Sequence, residues 1–534
     1  MKRFGKRKDR NRRVCEGGLH CPLHNRELRP GFVTNWDKNG CLEINPPCYR
    51  LFRTLAAWLA WTLDWFDPFQ GALRCTRPQP VTIHKMAAIG LLDIPPEIQL
   101  QIAEFTETSQ TLKALSVTSR SLRSIAQSVL FETLRIDLGD ELRGSVDDLL
   151  ANPRICAAIR FLVLRGLFLY SSAPPRNEEA QLSLIQKLLP EMVGLRKVSI
   201  YHLNLSKTFL DVFLGIAAST PLQVHLRRNI YPYGVIPTPH IRLQISHLQF
   251  TISHPPIEFY QSMLHASATT LTGLHIMAEG DGLMKLADIN LPFLHDLTLS
   301  ITRGNEVSRP SAAAFITAQR AIRKLDLRGK VGPLPTIPLS ALPNLRELRA
   351  SPGLVNQLVP GRPVETIEVT LPQHGCDQDW FGEEVTQSTA RVRKLRVHLK
   401  IAIIDTQMVK RMVTFLPFLE NLWLFVFCDV SWPFRSITRT LAAYFLQASP
   451  NVTEVLTSLR CLEHLRFDLY CRETWSDPNI NDIATEIATK LRNANSSFSS
   501  LEIRGCNKSR WKIAISVWNE VFGVFHQRES VTTQ

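Results

Sequence analysis

The sequence predicts an α/β protein in which a short three-helix module is followed by an irregular solenoid of strand and helix units. Three short amphipathic stretches follow one another between Leu91 and Ile136. After residue 155 a phrase of the form L-P-x-L-x-x-L recurs. A chain of 534 residues also exceeds what one hydrophobic core usually supports. We therefore expect the module and the repeated region to be separate parts of the molecule.

The three predicted helices each have a recognisable start or apolar spacing. Pro96 suits the first helical turn, because the N–H it lacks would have no partner there. Ile98 and Ile102 are one turn apart and share a helix face. Ser109 is a favourable N-cap for the second helix. The third helix carries apolar residues at i, i+3, i+4 and i+7 from Leu122 to Val129. Helices this short bury little apolar surface, so we expect the module to need a partner or a neighbouring domain.

The order of residues in this module resembles the F-box family. The resemblance is carried by Ile94-Pro95-Pro96-Glu97-Ile98, by Leu115-Ser116-Val117-Thr118-Ser119-Arg120-Ser121-Leu122-Arg123 and by Leu130-Phe131. The trailing Phe131-Glu132-Thr133-Leu134-Arg135-Ile136 is similar to the fungal form of the module. We therefore assign residues 86–136 to an F-box.

This resemblance implies a partner and a role. The partner is a Skp1-type adaptor and, through it, a cullin. The chain would then be the non-catalytic substrate-recognition subunit of an SCF-type cullin-RING ubiquitin ligase. The implied adaptor-binding residues are Ile94, Pro95, Pro96, Glu97, Ile98, Ile102, Leu112, Leu115, Val117, Arg120 and Leu122.

The recurring phrase after residue 155 resembles a degenerate leucine-rich repeat. The first apolar strand positions are Leu274, Leu297, Leu325, Leu348, Ile367, Leu395 and Leu422, which are 19 to 28 residues apart. The leucine-rich-repeat period is about 20–29 residues. Apolar stretches such as Phe209–Ile216 and Met408–Phe415 can supply one helix per repeat. The asparagine that normally follows the second strand leucine is missing, so we expect an irregular leucine-rich-repeat-like domain over residues 155–510. Residues 511–534 are predicted to form a capping helix and tail, because Ile513, Val517, Val521 and Phe525 recur at steps of four.

A candidate substrate surface follows from the strand pattern. In a strand of form L-x-L the two leucines face the core, so the residue between them faces the opposite side. These middle residues are His275, Thr298, Asp326, Glu368, Arg396, Trp423 and Arg466. Arg and Trp are frequent binding hot spots, so we predict that Arg396, Trp423 and Arg466 form one substrate-binding patch. In the alternative, Trp423 packs under an inserted loop and the arginines are solvated.

The N-terminal residues 1–85 differ in charge from the rest of the chain. They contain 16 Lys and Arg against 7 Asp and Glu, which leaves 46 against 41 for residues 86–534. The basic run Lys2–Arg13 is typical of nuclear import, nucleic-acid contact or a disordered tail. Met86 reads as a natural initiator, so this extension is predicted to be disordered or upstream of the true start. The apolar stretch Leu51–Phe66 is interrupted by charges and is shorter than the ~20 residues a membrane span needs, so we expect no membrane partner, with an interfacial helix as the alternative.

No motif in the sequence indicates an enzyme or a cofactor. Nucleophile elbows, phosphate-binding glycine loops and zinc-protease motifs are missing. Cys15, His20, Cys21 and His24 fit zinc spacing poorly, and His374–Glu384 is predicted to be a polar surface loop. The 11 irregularly spaced cysteines indicate reduced intracellular thiols and a cytoplasmic and/or nuclear protein. We expect no metal, no cofactor and no catalysis.

Three functions remain open at this point. The first is the substrate receptor that the resemblance implies. The second is an interaction scaffold that binds Skp1 or other proteins without delivering ubiquitin. The third is a nucleic-acid-associated protein that acts through its basic tail, which the nearly balanced charge of residues 86–534 disfavours.

Overall fold

The structure is a computed structural model, and part of the chain is described in it. The described residues are 95–104, 106, 109–118, 120–138, 143–166, 178–229, 241–252, 257–303, 308–329, 334–370, 382–399, 406–427, 450–471, 480–507, 512–521 and 524–533. The predictions on the N-terminal extension, on Met86, on Ile94 and on the cysteine and histidine residues near position 20 lie outside these residues. No described helix has both the length and the apolar character to cross a membrane.

Three helices form the three-helix module, as the sequence predicts. They are α1 (Pro96–Glu104), α2 (Ser109–Thr118) and α3 (Arg120–Leu130). Ala103, Leu112, Leu115 and Ala126 form a small buried core between them. The amphipathic spacing of α3 explains why one side of this helix faces that core while its arginines remain exposed.

A parallel sheet of 14 strands runs through the described chain from Thr133 to Asn507. Each strand pairs with the next strand in the chain, so strand order follows sequence order. The strands are β1 (Thr133–Leu138), β2 (Phe161–Gly166), β3 (Lys197–Tyr201), β4 (Leu222–Arg227), β5 (Ile245–Ile252), β6 (Gly273–Glu279), β7 (Asp296–Arg303), β8 (Lys324–Gly329), β9 (Glu347–Ala350), β10 (Thr366–Thr370), β11 (Lys394–Leu399), β12 (Asn421–Phe427), β13 (His464–Cys471) and β14 (Ser500–Asn507). Parallel neighbours need a crossover segment, and helices supply most of these segments.

Helices lie in the connections between strands. They are α4 (Arg143–Leu150), α5 (Pro153–Ala158), α6 (Glu178–Leu188), α7 (Lys207–Ser219), α8 (Ile257–Ser267), α9 (Ser308–Ala318), α10 (Pro352–Leu358), α11 (Thr406–Phe415), α12 (Pro450–Thr457) and α13 (Ile480–Ala494). Shorter 3-10 helices cover Leu189–Glu191, Gly280–Leu286 and Glu383–Gln387. The helices predicted at Phe209–Ile216 and Met408–Phe415 are confirmed by α7 and α11.

One continuous hydrophobic core runs between the sheet and these helices. The predicted marker residues of the strands, among them Leu297, Leu325 and Leu395, are fully buried in it. Phe209, Phe259 and Phe315 enter the same core from α7, α8 and α9. Strand residues that alternate with the buried ones point to the opposite side of the sheet. We call that side the outer face.

A repeated backbone hydrogen-bond pair marks where the strands begin. The N–H groups of Arg196 and Lys197 both donate to the carbonyl of Arg160, at 2.8 and 3.0 Å. The same arrangement, in which two successive N–H groups share the carbonyl of the residue just before the preceding strand, occurs at β2, at β3 and at each strand from β7 to β14. It fixes the register of each new strand on the last one.

Different side chains serve the buried turns in place of a repeated asparagine. Gln319 is fully buried, accepts from the Leu291 N–H at 2.8 Å and donates to the Ile289 carbonyl at 2.6 Å. Asn495 donates to two carbonyls of the preceding repeat at 3.0 and 2.7 Å. Buried backbone groups need a partner, and at these two turns a glutamine and an asparagine supply it from different positions.

The buried side chain of Arg362 donates hydrogen bonds to several backbone carbonyls. Its side chain is fully buried, and burial lowers the pKa of its guanidinium. It donates to the carbonyls of Ala341, Leu358 and Pro338 at 3.0, 2.9 and 2.9 Å. A planar guanidinium with five donors can serve several carbonyls at once. Arg362 therefore fixes the segment before β9 against the end of α10.

The predicted C-terminal capping helix is wrong. Residues 511–534 contain β15 (Lys512–Val521) and β16 (Val524–Thr533), which extend the sheet as an antiparallel pair after β14. A step of four residues is also a multiple of the two-residue strand period. The β-branched residues Ile513, Ile515 and Val517 favour a strand over a helix.

The sheet begins earlier than the predicted repeat domain at residue 155. Strand β1 already pairs with β2 over Thr133–Leu138, and its first four residues fall within the range 86–136 assigned to the F-box. The end of the module and the start of the sheet therefore share one strand.

We expect Arg362→Met to lower the unfolding free energy by about 3–5 kcal/mol, because it leaves several buried carbonyls without donors. Arg346→Met is the matched control, since the side chain of Arg346 is 65% exposed. Thermal and urea unfolding of both variants would measure the difference. Equal effects of the two changes would contradict the role of Arg362.

Candidate functional site

The start of the three-helix module presents partly exposed apolar residues. The carbonyl of Pro95 accepts the N–H groups of Ile98 and Gln99, both at 3.0 Å, and so fixes the first turn of α1. Pro95, Pro96 and Glu97 are exposed, whereas Ile98 and Ile102 are partly buried. The side of α1 that faces the module core carries Gln99 and Ala103 instead. The predicted apolar face of α1, which carries Ile98 and Ile102, is therefore only partly covered by the module.

Two exposed hydrophobic side chains stand out on this module. Val117, near the end of α2, is 63% exposed, and Leu100 on α1 is 36% exposed. Arg120, at the start of α3, is also exposed. Sequence reasoning missed Leu100, because it lies outside the i, i+4 spacing of Ile98 and Ile102. Its exposure on an otherwise amphipathic helix is the signal that identifies it.

The leucines predicted to bind the adaptor lie inside the module. Leu112, Leu115 and Leu122 are 6%, 8% and 6% exposed. Helical spacing places them toward the neighbouring helices, so they support the shape of the module and do not form its surface. Arg123 adds to this support, since its Nε–H donates to the carbonyl of Ser116 at 3.0 Å and joins α3 to α2.

The module is joined directly to the sheet. The carbonyl of Glu132 accepts the N–H groups of Arg160 and Phe161, both at 2.9 Å. This is the same paired hydrogen bond that begins the later strands. The residues after α3 therefore act as the first unit of the strand array.

The outer face carries one residue per strand in a continuous row. Strand register aligns His275, Thr298, Asp326, Arg349, Glu368, Arg396, Trp423, Arg466 and Glu502. The alignment of the predicted middle residues is thus confirmed. Sequence reasoning missed Arg349, because Ala350 replaces the second leucine of its strand, and Glu502, because Leu501 follows Leu465 after a long interval.

Three basic side chains contact Glu368 in this row. Its carboxylate lies 2.7 Å from Nε2 of His398, 3.0 Å from Nη1 of Arg349 and 3.6 Å from Nη1 of Arg396. Burial alone would raise the pKa of Glu368, but the His398 hydrogen bond and the charges of Arg349, His398 and Arg396 outweigh it and lower that pKa. Glu368 therefore remains ionised and holds its neighbours in place.

Asp326 is a second buried carboxylate in the row. Its side chain is 6% exposed and accepts two hydrogen bonds from Arg328, at 2.8 and 2.6 Å. This hydrogen bonding is the largest cause that raises the pKa of Arg328. Arg349 lies between Asp326 and Glu368, 3.7 Å from the first and 3.0 Å from the second. Charges of opposite sign therefore alternate from strand to strand across β8, β9 and β10.

Trp423 lies between two arginines. The guanidinium carbon of Arg466 is 3.5 Å from the ring centroid, and that of Arg396 is 4.7 Å away. The indole N–H donates to Asp468 at 2.7 Å. Arg466 also donates to Asp468 at 3.0 and 3.1 Å and lies 3.6 Å from Glu502. The predicted proximity of Arg396, Trp423 and Arg466 is therefore confirmed, and Arg466 is paired instead of solvated.

We call these interacting side chains the polar cluster. Its members are Asp326, Arg328, Arg349, Glu368, Arg396, His398, Trp423, Phe425, Arg466, Asp468 and Glu502, with Phe425 stacked on both Trp423 and His398. Its four arginines face four carboxylates. Because these charges neutralise one another, the cluster holds a fixed arrangement in which Arg328 and Arg396, with side chains 46% and 44% exposed, are the most accessible cations.

The described residues offer little for chemistry. They contain no group of three or more His, Cys, Asp or Glu side chains placed to hold a metal ion. Cys156 is buried, and burial raises the pKa of its thiol above the ordinary value, which disfavours the nucleophilic thiolate. Residues 374–381 of the predicted polar loop lie outside the described part of the chain.

We expect Arg466→Gln to lower the unfolding free energy by about 2 kcal/mol or more, because it leaves the buried Asp468 without its cation. Arg396→Gln is the matched control and should cost under about 1 kcal/mol, since its side chain is 44% exposed. Glutamine avoids the repulsion that a glutamate beside Asp468 and Glu502 would add. Urea unfolding measures both variants, and a larger effect of Arg396→Gln would contradict this ordering.

The low pKa of Glu368 predicts a pH-dependent stability. A carboxyl whose pKa is lower in the folded protein than its ordinary 4.5 stabilises the fold fully above that value. The contribution disappears as the pH falls through the folded pKa. The thermal midpoint of Glu368→Gln should therefore lie below that of the wild type at pH ~7, and the gap should narrow below pH ~4. Glu365→Gln, at a side chain 43% exposed, is the control at pH ~7, and a gap that widens in acid would refute the assignment.

The comparison with protein families bears on the three-helix module. The family model of the F-box domain matches residues 91–134 of this chain. These residues contain α1, α2 and α3 and the first residues of β1. A comparison with curated proteins gives no match to the chain. The protein therefore carries an F-box domain at residues 91–134, joined to a long parallel sheet.

Proposed function

We propose that this chain is the substrate-recognition subunit of an SCF-type cullin-RING ubiquitin ligase. The observation that carries the proposal is the F-box domain at residues 91–134. Such a domain suggests docking to a Skp1-type adaptor, and proteins that carry it are typically non-catalytic receptors. The long strand array after it would capture the protein substrate. We place this activity in the cytoplasm, the nucleus or both.

Exposed apolar residues on the module support adaptor docking. Val117 and Leu100 are exposed, and Ile98 is only partly buried, in a module whose own core is small. Apolar side chains that remain exposed beside polar ones are typical of interaction surfaces. The proposed contact residues are Ile94, Pro95, Pro96, Glu97, Ile98, Leu100, Ile102, Val117 and Arg120. Leu112, Leu115 and Leu122 would contribute through the shape of the module.

We infer that the array is a degenerate leucine-rich-repeat-like solenoid. The recurring L-x-L strands support this, as does the paired N–H hydrogen bond that recurs from strand to strand. A unit of one strand and one helix cannot bury its apolar face alone, so units of this kind stack. The stretch Phe131–Ile136 favours a fungal type of F-box protein.

Substrate capture on the outer face is the second half of the proposal. Arg396, Trp423 and Arg466 contact one another and contain the residue types most often found as hot spots. Arg396 and the partly exposed Trp423 are the members a substrate would reach. The interaction scaffold is the alternative function, and co-purification of a cullin with the chain distinguishes the receptor from it. Loss of RNA binding on deletion of residues 1–85 would support the nucleic-acid alternative.

We expect Val117→Asp to abolish co-purification with a Skp1-type adaptor, because it places a charge in the proposed apolar contact. Val193→Asp is the matched control, since Val193 is 76% exposed and lies in the strand array. Both variants should keep the thermal midpoint of the wild type. Undiminished adaptor binding by Val117→Asp, or equal loss in both variants, would argue against the proposed docking surface.

A further inference from the structure

Charge is distributed unevenly along the outer face. In the polar cluster each arginine lies within 4 Å of a carboxylate. Near the start of the sheet, Arg165, Arg227 and Arg228 are exposed and form no ion pair with a described residue. We call these three arginines, together with His202, the basic patch.

Strand register brings the basic patch together. Arg165, Tyr201 and Arg227 lie side by side on β2, β3 and β4. Neighbouring strands are about 4.8 Å apart, so the backbones of Arg165 and Arg227 are about 10 Å apart. His202 and Arg228 are the next residues on their chains. The patch therefore occupies the carboxyl ends of three consecutive strands.

Two members of the patch have an unfavourable backbone conformation. His202 and Arg228 have φ angles of 56° and 54°, in the left-handed region that favours glycine. Strand register makes them equivalent to Gly166 and to Gly329, whose φ is 90°. Glycine is thus used at this strand exit elsewhere. Side chains held in such a conformation often serve a function that outweighs the strain.

A neighbouring amide holds this exit in place. Asn229 accepts the N–H of Leu203 and donates to the carbonyl of Ile200, both at 3.0 Å. The His202 N–H also donates to the carbonyl of Arg227 at 3.1 Å. The strained backbone is therefore fixed by hydrogen bonds on both sides, which keeps His202 and Arg228 in position beside each other.

Burial and the charges of the three arginines lower the pKa of one imidazole, that of His202. Burial lowers the pKa of His202, and the charges of Arg228, Arg165 and Arg227 lower it further. On the same face, burial is the largest cause that lowers the pKa of His225 to about 4, and Lys197 adds to it. Both imidazoles are therefore neutral near pH 7. The described carboxylate in register with the patch is Asp137 on β1, which is aligned with Arg165 and forms an ion pair with Arg135 at 3.2 Å.

The connections next to the patch contain little counter-charge. Residues 167–177, 203–206 and 230–240, which follow β2, β3 and β4, include no Asp or Glu. The segment after β1 contains Asp140 and Glu141, which lie outside the described residues. The segments that directly follow the three strands thus supply no partner for the arginines.

We propose that the basic patch binds an acidic, extended segment of the protein substrate. This rests on the proposed function, because it names the chemistry of the substrate that the array would capture. Guanidinium groups pair with carboxylates through two parallel hydrogen bonds. A width of about 10 Å matches about three residues of an extended peptide at 3.3 Å per residue. A nucleic acid fits less well, because it calls for a longer basic stripe. The row is bounded by Asp137 on one side and continues with Thr251 and Met277 on the other.

Fluorescence anisotropy with the full chain tests the proposal. The probe is a fluorescein-labelled Glu-rich peptide, and its Gln-rich counterpart is the control peptide. We expect the Glu-rich peptide alone to bind, with affinity that falls as salt is raised. Arg165→Gln with Arg227→Gln should weaken binding by at least about tenfold. Arg346→Gln with Arg393→Gln removes the same charge from exposed, paired arginines and should change affinity by less than about twofold.

His202→Gly separates binding from folding. Glycine adopts a φ of 56° without strain, so the thermal midpoint of the variant should equal or exceed that of the wild type. Its affinity for the peptide should fall. NMR titration of the histidines adds a direct readout. Saturating Glu-rich peptide should raise the pKa of His202, because a nearby anion favours the charged imidazole.

Five outcomes would overturn the proposal. The first four are absence of binding by the wild type, equal loss in the two double variants, an unchanged pKa of His202, and tighter binding of an RNA oligonucleotide that the patch variant abolishes. Binding that appears only after Asp140→Asn with Glu141→Gln would also overturn it, since the chain itself would then occupy the patch. Adaptor co-purification is measured in parallel on Arg165→Gln with Arg227→Gln and should be unchanged. Failure of the wild type to bind the adaptor would instead reject the proposed function and leave the peptide result standing.

Discussion

The rest of the structure depends on the way each strand is added to the one before it. At most strand starts, two successive N–H groups bind the carbonyl of the residue just before the preceding strand. Because neighbouring parallel strands are separated along the chain by a whole crossover, this contact helps to set the register of each new strand. Once register is fixed, every alternate residue is assigned to the core or to the outer face. The row from His275 to Glu502 is a direct consequence.

The spacing of this row determines its electrostatics. Side chains on adjacent parallel strands are about 4.8 Å apart, so an arginine reaches a carboxylate on either side. Arg349 does so between Asp326 and Glu368. Pairs of this kind compensate the loss of hydration of partly buried charges and fix side-chain positions, but they add little net stability. The polar cluster therefore presents a defined shape with little free charge, whereas the basic patch retains its charge for an external partner.

The sequence predicts those features that depend on local spacing. The helices of the module, α7, α11 and the middle residues of the L-x-L strands all follow from periods of 3.6 or 2 residues. The C-terminal strands were mistaken for a helix because a step of four fits both periods. Burial of Leu112 and Leu115 depends on how α2 packs in the module core. The contacts of Arg362 and the grouping of three arginines around His202 depend on strand register across connections of unequal length. No local pattern in the sequence contains that register.

The position of the basic patch relative to the F-box domain has a mechanical consequence. The end of the domain continues into β1 without a linker, and β1 pairs with β2 along its whole length. Arg165 on β2 is therefore one strand from the domain, and Arg227 on β4 is three strands away, about 15 Å along the sheet. The polar cluster begins only at β8. A substrate segment on the basic patch would lie at the adaptor end of the array, and the rigid pairing of β1 with β2 would hold it at a fixed distance from the docked adaptor.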